Sequence, residues 1–418
     1  MASPLRSRPI WLGVLVLVVG SSGYAVWKLA TNAAPESATV RQPASDLEFV
    51  PDAEQLKTMD ALRGRLSEAN PSFAAEDTRA RTNAKLFTYM AGTSEEPRVV
   101  RASLEAIQKA YSSRSSLKEA PDADLARVLA KHLRSGQPAI ALAAFEATRI
   151  PLMTDRPRPE LCALLAEMSG PAEPPARRYA ALEALNLIRP DQRNPEVLGA
   201  FEAALSATEP HLVSTALYAL AQSGPSFQVV GASQTLGPSV VALTTHADAG
   251  VRGRALALLM ELQGVAEPPW IAAKARQMLD DAQPFVRAQA AAVLEQLREP
   301  SAIHALMAHV DDLGVARHVL EGWLSLDGSA GQLTHGLPGR RRVAESALFA
   351  IRSLSAAEAA SSAGPADAAE LPPWRPFVVT LGGPAQTDEL VRQNAELAKA
   401  WYRTASALLP PDPRSAAR

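Results

Sequence analysis

Residues 280–312 read DDAQPFVRAQAAAVLEQLREPSAIHALMAHVDD. Pro284 opens an apolar stripe in which Val286, Ala290, Val293 and Leu294 recur at helical spacing, and Pro300 opens a second stripe that runs through Leu306. A proline in the first turn of a helix sacrifices no hydrogen bond, and its fixed φ suits the helix start. The stretch therefore predicts two short helices, each begun by a proline and bounded by the acidic turns at Asp281 and Asp311. One such pair cannot bury its apolar face alone and must stack on another.

The rest of the chain supplies the others. A proline followed six residues later by a small residue in an apolar stripe occurs at Pro97 and Ser103, Pro138 and Ala144, Pro174 and Ala180, Pro210 and Ala216, and Pro284 and Ala290. Ala249, leading to Ala255, takes the proline's place in one unit. The intervals between successive openers are 41, 36, 36, 39 and 35 residues. A second series, Pro121, Pro159, Pro195, Pro238, Pro269 and Pro300, falls between them. Each unit is thus two proline-opened helices, with the small residue set where backbones approach and leucines such as Leu217 and Leu220 supplying volume. The fold class that follows is all-α: an α-solenoid of about six to seven helix pairs.

The pattern of an acidic turn, then Pro-x-Val-Arg, a small residue and leucine pairs resembles the HEAT repeat, in the variety shared with phycobilisome-lyase-type proteins. Asp281, Pro284, Val286, Arg287 and Ala290 carry it in the quoted stretch, and Asp248, Val251, Arg252, Ala255 and Leu259 in the unit before. The resemblance covers residues 96–354. It implies that Asp248, Arg252, Asp281 and Arg287 link successive repeats.

Outward from the repeats, residues 51–95 read as a helical cap, 355–376 as a low-complexity, proline-rich linker, and 377–418 as a segment with one amphipathic helix that caps the stack or docks independently. The apolar run after Asp312, LGVARHVLEGWLSL, reads as a further helix, followed by a glycine-rich loop, DGSAGQLTHGLPGRRR. At the other end, residues 10–27 carry no charge and span roughly 27 Å as a helix, close to the hydrocarbon thickness of a bilayer. Arg6 and Arg8 precede the run, and Trp11 and Trp27 stand near its ends. Residues 1–30 are therefore a transmembrane signal anchor or, with Gly23-Tyr-Ala25 as a small-x-small cleavage site, a signal peptide. Residues 31–50 are polar and read as a flexible linker.

Composition narrows the function. Lys+Arg is 42 against Asp+Glu 44, a formal charge of -2, so no basic field favours nucleic acid. The one cysteine, Cys162, excludes an internal disulfide framework and a cysteine-built zinc site; it sits on an apolar stripe and reads as buried. Alanine is about a fifth of the 418 residues, and 33 prolines outnumber 23 glycines, as frequent short helices require. His304, His309 and His318 are spaced poorly for one helix face and read as exposed or turn-capping rather than metal ligands. Ser115 and Lys118 match a serine acyl-transfer pattern without its companion motifs. No catalytic residue, metal site or cofactor is assigned, and no small-molecule substrate is evident.

The reading is a non-enzymatic scaffold, anchored once in the inner (cytoplasmic) membrane with its N-terminus inside and its bulk in the periplasm. It binds another protein of a cell-envelope complex through the solenoid surface. Arg340, Arg341, Arg342, Trp323 and Trp270 are the candidate partner contacts, because adjacent arginines suit acidic groups and tryptophans suit interface cores. The alternatives are a bilin-lyase-like enzyme or chaperone, which the resemblance implies, and a secreted soluble solenoid if the N-terminus is cleaved.

Overall fold

The structure is a computed structural model that describes residues 47–66, 81–110, 123–153, 157–229, 233–262, 268–337, 342–361 and 388–411. The predicted anchor at 10–27 lies outside these residues, as do Ser115 and Lys118. Among the described residues no helix is long and apolar enough to cross a membrane.

Helices alternate along the chain between two rows. The first row is α3 (Pro97–Ala110), α5 (Pro138–Leu152), α7 (Pro175–Asn186), α9 (Pro210–Val229), α11 (Ala249–Glu261), α13 (Pro284–Gln296) and α15 (Val343–Ser361), each packed on the next. The second row begins with α2 (Arg81–Thr93), α4 (Ala123–Leu133), α6 (Pro159–Met168) and α8 (Pro195–Ala204), and continues with α10 (Ser233–Leu243), α12 (Pro268–Met278) and the four-residue α14 (Ile303–Leu306). This is a HEAT-like α-solenoid. Proline stands first in α3, α5, α6, α8, α9 and α13. Pro174 is the N-cap of α7 with Pro175 inside it, and Pro269 follows Pro268, which opens α12. Pro238 departs from the prediction: it lies within α10 rather than at its start. Pro121 is outside the described residues.

Of the small residues six places after an opener, Ser103, Ala144, Ala216, Ala255 and Ala290 are fully buried, whereas Ala180 is only partly buried against the core. One apolar core runs from Met59 to Leu262 and a second from Ala249 to Leu409, and residues of α11 belong to both. At the N-terminal end α1 (Ala53–Leu66) packs on α2 and α3. The residues just before it are tied down rather than part of a free linker. The Glu48 and Phe49 amides donate to Asp124 at 3.0 and 2.8 Å, and Leu47 and Phe49 lie against the core. At the other end α16 (Asp388–Ala405) buries Val391, Ala395, Ala398 and Trp401 in the core that α15 shares. His304 bonds Tyr402 and the Pro410 carbonyl at 2.6 and 2.8 Å, so α16 caps the stack. Helix α15 continues to Ser361, past the expected end of the repeats at residue 354.

The fold is not all-α. The run expected to be a helix after Asp312 is a strand, β1 (Arg317–Leu324), paired antiparallel with β2 (Ala330–Gly336). Side chains of β1 alternate, with His318, Leu320 and, past a bulge between Glu321 and Trp323, the indole turned inward. Asp327 closes the turn by accepting from Ser329 N at 3.0 Å and from the Ser325 and Ser329 hydroxyls. The hairpin is an insertion within the last repeat. At its base Val315 bridges Arg342, and the Val343 and Ala344 amides bond Gly314 and Asp312 carbonyls at 3.0 and 2.8 Å.

Candidate protein-interaction surface

Two of the repeat arginines reach across to the next repeat. Arg252 grips the Asp281 carboxylate with Nε and one terminal nitrogen at 2.9 and 2.8 Å, across to the next repeat. Its other terminal nitrogen bonds the His246 and Ala247 carbonyls of the turn before its own helix. Arg287 repeats the arrangement, reaching Asp312 at 2.7 Å and the Asp281 and Ala282 carbonyls at 2.8 and 3.1 Å. A third member escaped the sequence pattern. Arg178, at the same place in α7, bonds the Ser169 carbonyl at 3.3 Å and pairs with Glu209 at 3.5 Å. In α9 that place is held by Val213, which is buried.

Asp248 caps α11 by accepting from the Val251 amide at 3.0 Å. Its second oxygen takes no repeat arginine but the ring of His318, 3.2 Å away on β1. Burial acts to raise Asp248, yet the bonds from His318 and Val251 outweigh it and hold the carboxyl below its usual range.

This contact is one of a line that fastens the hairpin across the first row of helices. His335 of β2 is buried and bonds the Ser214 hydroxyl of α9 at 3.0 Å. It stacks on His318, with ring centroids 5.9 Å apart. A Cβ on Gly250 would stand 2.6 Å from His335, so only glycine lets α11 come this close. Phe285 of α13 lies against both rings. Farther out, Trp323 packs on Tyr179 of α7 at 4.2 Å and on His211 of α9 at 4.7 Å. Across the ladder Gly331 leaves room for that indole, because a Cβ there would fall 2.4 Å from the ring. Leu326 at the tip reaches the core near Leu142 and Phe145 of α5.

Two of these rings are held neutral. Burial pushes His335 down to about 3, with the Arg254 charge adding to the effect. Burial pushes His211 down to about 4, partly opposed by Glu209. The hairpin thus rests on uncharged imidazoles and one carboxylate–histidine bond.

Between the outer edge of β1 and the starts of α7, α9 and α11 lies an open cleft of about 660 Å³. Pro174, Pro175, Glu209 and His211 form one wall, and Glu321, Trp323 and Leu324 the other. Leu324 is 63% exposed, a large apolar side chain presented at the rim.

Of the five predicted partner contacts, the described Trp323, Trp270 and Arg342 do not share one surface. Trp323 is in a strand, not a helical repeat, and spends one face anchoring the hairpin. Trp270 sits 40% exposed at the start of α12, in the other row. Arg342 pairs with Asp388 of α16 at 3.1 Å and bonds the Leu313 carbonyl at 3.1 Å, which ties the cap to the hairpin base. Arg340 and Arg341 lie outside the described residues. The three histidines considered as metal ligands are apart: His304 holds the cap, His309 lies 3.9 Å from Asp312, and His318 holds Asp248. Among the described residues no three His, Cys, Asp or Glu side chains converge as a metal site. Cys162 is buried, and burial followed by the Glu196 charge pushes its thiol up to about 11, which leaves it protonated and inert.

No family model matches the chain, and no curated protein matches it in sequence. Among solved structures it is similar to Kap95p in a complex with RanGDP, at 14% identity over 84% of this chain and 42% of that one, with a TM-score of 0.44. It is likewise similar to the Kap95:Nup1 complex, at 13% identity over 85% and 44%, with a TM-score of 0.48. The chain spans less than half the length of these neighbours, and the functional reading rests on its own geometry.

Proposed function

We propose that the chain is a membrane-tethered, extracytoplasmic scaffold that binds a protein partner at the cleft between strand β1 and the starts of α7, α9 and α11. The observation that carries this is the hairpin itself. A helical stack that only needed to be stable has no use for a 30-residue-scale insertion clamped across one row, whereas the clamp creates a rimmed cleft with an exposed leucine and a half-buried tryptophan. Aromatic and apolar groups at the centre of a polar rim are the usual energetic focus of a protein interface. The tether rests on the uncharged run at 10–27 and the arginines before it.

The test is site-specific photocrosslinking of the full chain in intact cells. A photoreactive residue in place of Leu324 is expected to give one discrete adduct, and one in place of Leu397 of α16, also an exposed leucine, none. Adducts from both positions, or from neither, would remove the cleft as the binding surface. Alkaline extraction addresses the tether separately: retention in the membrane pellet supports it, and release into the supernatant ends it.

A further inference from the structure

Arg254 of α11 stands apart from the other arginines of the first row. Arg178, Arg252 and Arg287 each meet a carboxylate of the next turn. Arg193, also buried and without a carboxylate, is satisfied by the Ile188, Asn186 and Ala219 carbonyls and the Ser223 hydroxyl. Arg254 has neither an ion pair nor a hydrogen bond among the described residues. Its guanidinium lies over the Tyr218 ring at 4.4 Å, and its Nε is sealed from water without a partner. Burial pushes its pKa down to about 10, so it remains charged at neutral pH. A partly desolvated cation that lacks an anion is costly, and stacking on one ring recovers only part of that cost.

Its place in the fold gives the missing anion an address. Ser214 of α9 and Gly250 of α11 both touch His335 of β2. Tyr218 and Arg254 are each four residues, one helical turn, farther along the same faces. They therefore form a shelf just past β2, on the side away from the β1 cleft. Among the described residues β2 pairs with β1 alone, so its other edge is open. No carboxylate among the described residues pairs with the guanidinium. His335 is neutral, Ser214 offers a hydroxyl, and Asp248 at the start of the same helix is taken by His318.

We propose that an extended acidic segment of a protein partner adds to the open edge of β2 and places a carboxylate on Arg254. Strand addition supplies backbone hydrogen bonds without regard to sequence, and the guanidinium supplies the selection. A carboxylate rather than a phosphate fits because the site offers one positive charge and a neutral imidazole, and a phosphate dianion would be left half-compensated. The identity of the occupant rests on the protein-binding reading, but the site is on the opposite edge of the hairpin from Leu324.

Two blocked heptapeptides of alternating Thr and Val, one with a central Glu and the other with a central Gln, test this on the purified full chain in detergent. The Glu peptide is expected to bind at least ~10-fold more tightly, the scale of one charge-assisted hydrogen bond. Hydrogen exchange should slow across residues 330–336 in its presence. Arg254→Gln should abolish the preference, and Arg254→Lys, which keeps the charge, should retain a smaller preference. Equal affinity of the two peptides, a preference that persists in Arg254→Gln, or protection confined to other segments would overturn the proposal. Absence of binding by either peptide would overturn it as well. None of these outcomes touches the Leu324 crosslink, which reports on the other edge.

Discussion

Two junctions of the first helical row are tied in different ways. Between α11 and α13, Arg252 spans to Asp281 with two nitrogens, and Arg287 carries the same device onward to Asp312. Between α9 and α11 there is Val213 where those arginines would be, and Asp248 is claimed by His318 of the inserted hairpin. The arginine junctions are part of the repeat and are built from guanidinium–carboxylate pairs. The other junction is shared with a two-stranded ribbon and depends on imidazoles. A hairpin of two strands is marginal by itself, so its order is borrowed from the helices beneath it. The difference predicts that the stack and its strap respond to different perturbations.

Acid should separate them most. His335 and His211 titrate near 6.5 when unfolded and at about 3 and about 4 in place. Their contribution is whole above pH 6.5, and it is lost as the pH falls toward those lower values. At about pH 4.5, two units below the unfolded value, each costs about 2.7 kcal/mol, so the pair removes about 5 kcal/mol from the hairpin's attachment. Hydrogen exchange in β1 and β2 should accelerate between pH 6.5 and 4.5, while α11 and α13 stay protected. Equal loss of protection in the helices would mean that strap and stack are one cooperative unit.

Phe285→Ala comes next, because this fully buried ring serves both devices: it lies against His318 and His335 and sits on the helix that carries Arg287. A loss of about 3–5 kcal/mol is expected in urea unfolding, with the hairpin released as well. Arg252→Ala should cost about 2–4 kcal/mol, since it strands a mostly buried Asp281 carboxylate and two turn carbonyls. That loss should be the same at pH 5 and pH 8 and should leave hairpin exchange unaltered. A double-mutant cycle with Asp281→Ala should return most of it as a coupling energy.

The repeats were legible because proline, alanine and leucine recur with a period set by local geometry, and the Asp281–Arg287 pattern recurs with them. The hairpin was not. Leu313, Ala316, Leu320, Trp323 and Leu324 fall three or four apart, which satisfies a helical stripe as well as an alternating strand. The Asp327-Gly328 pair, a strong turn signal between two apolar runs, was the clue that favours strands. Arg178 was missed as an inter-repeat link because its acid, Glu209, directly precedes Pro210, whereas Asp281 stands three before Pro284. The histidine line was out of reach for a different reason. Ser214 and His335 are 121 residues apart, and no local pattern in either segment points to the other.

Asp248→Asn is the smallest change and the sharpest, because that one side chain does both jobs at the weaker junction. An asparagine still caps α11 through its carbonyl oxygen, so the Val251 bond survives. What is lost is the charge that attracts His318. The folded carboxyl is held below its usual value, so its stabilisation is present above about pH 4 and disappears as the pH falls through the lowered value. At neutral pH the substitution should therefore cost about 1 kcal/mol, read as faster exchange at β1 with no change in the midpoint for the helices. If instead the urea midpoint of the whole chain falls as far as it does for Arg252→Ala, then the histidine on Asp248 is a repeat link like the arginines, and the contrast between the two junctions fails.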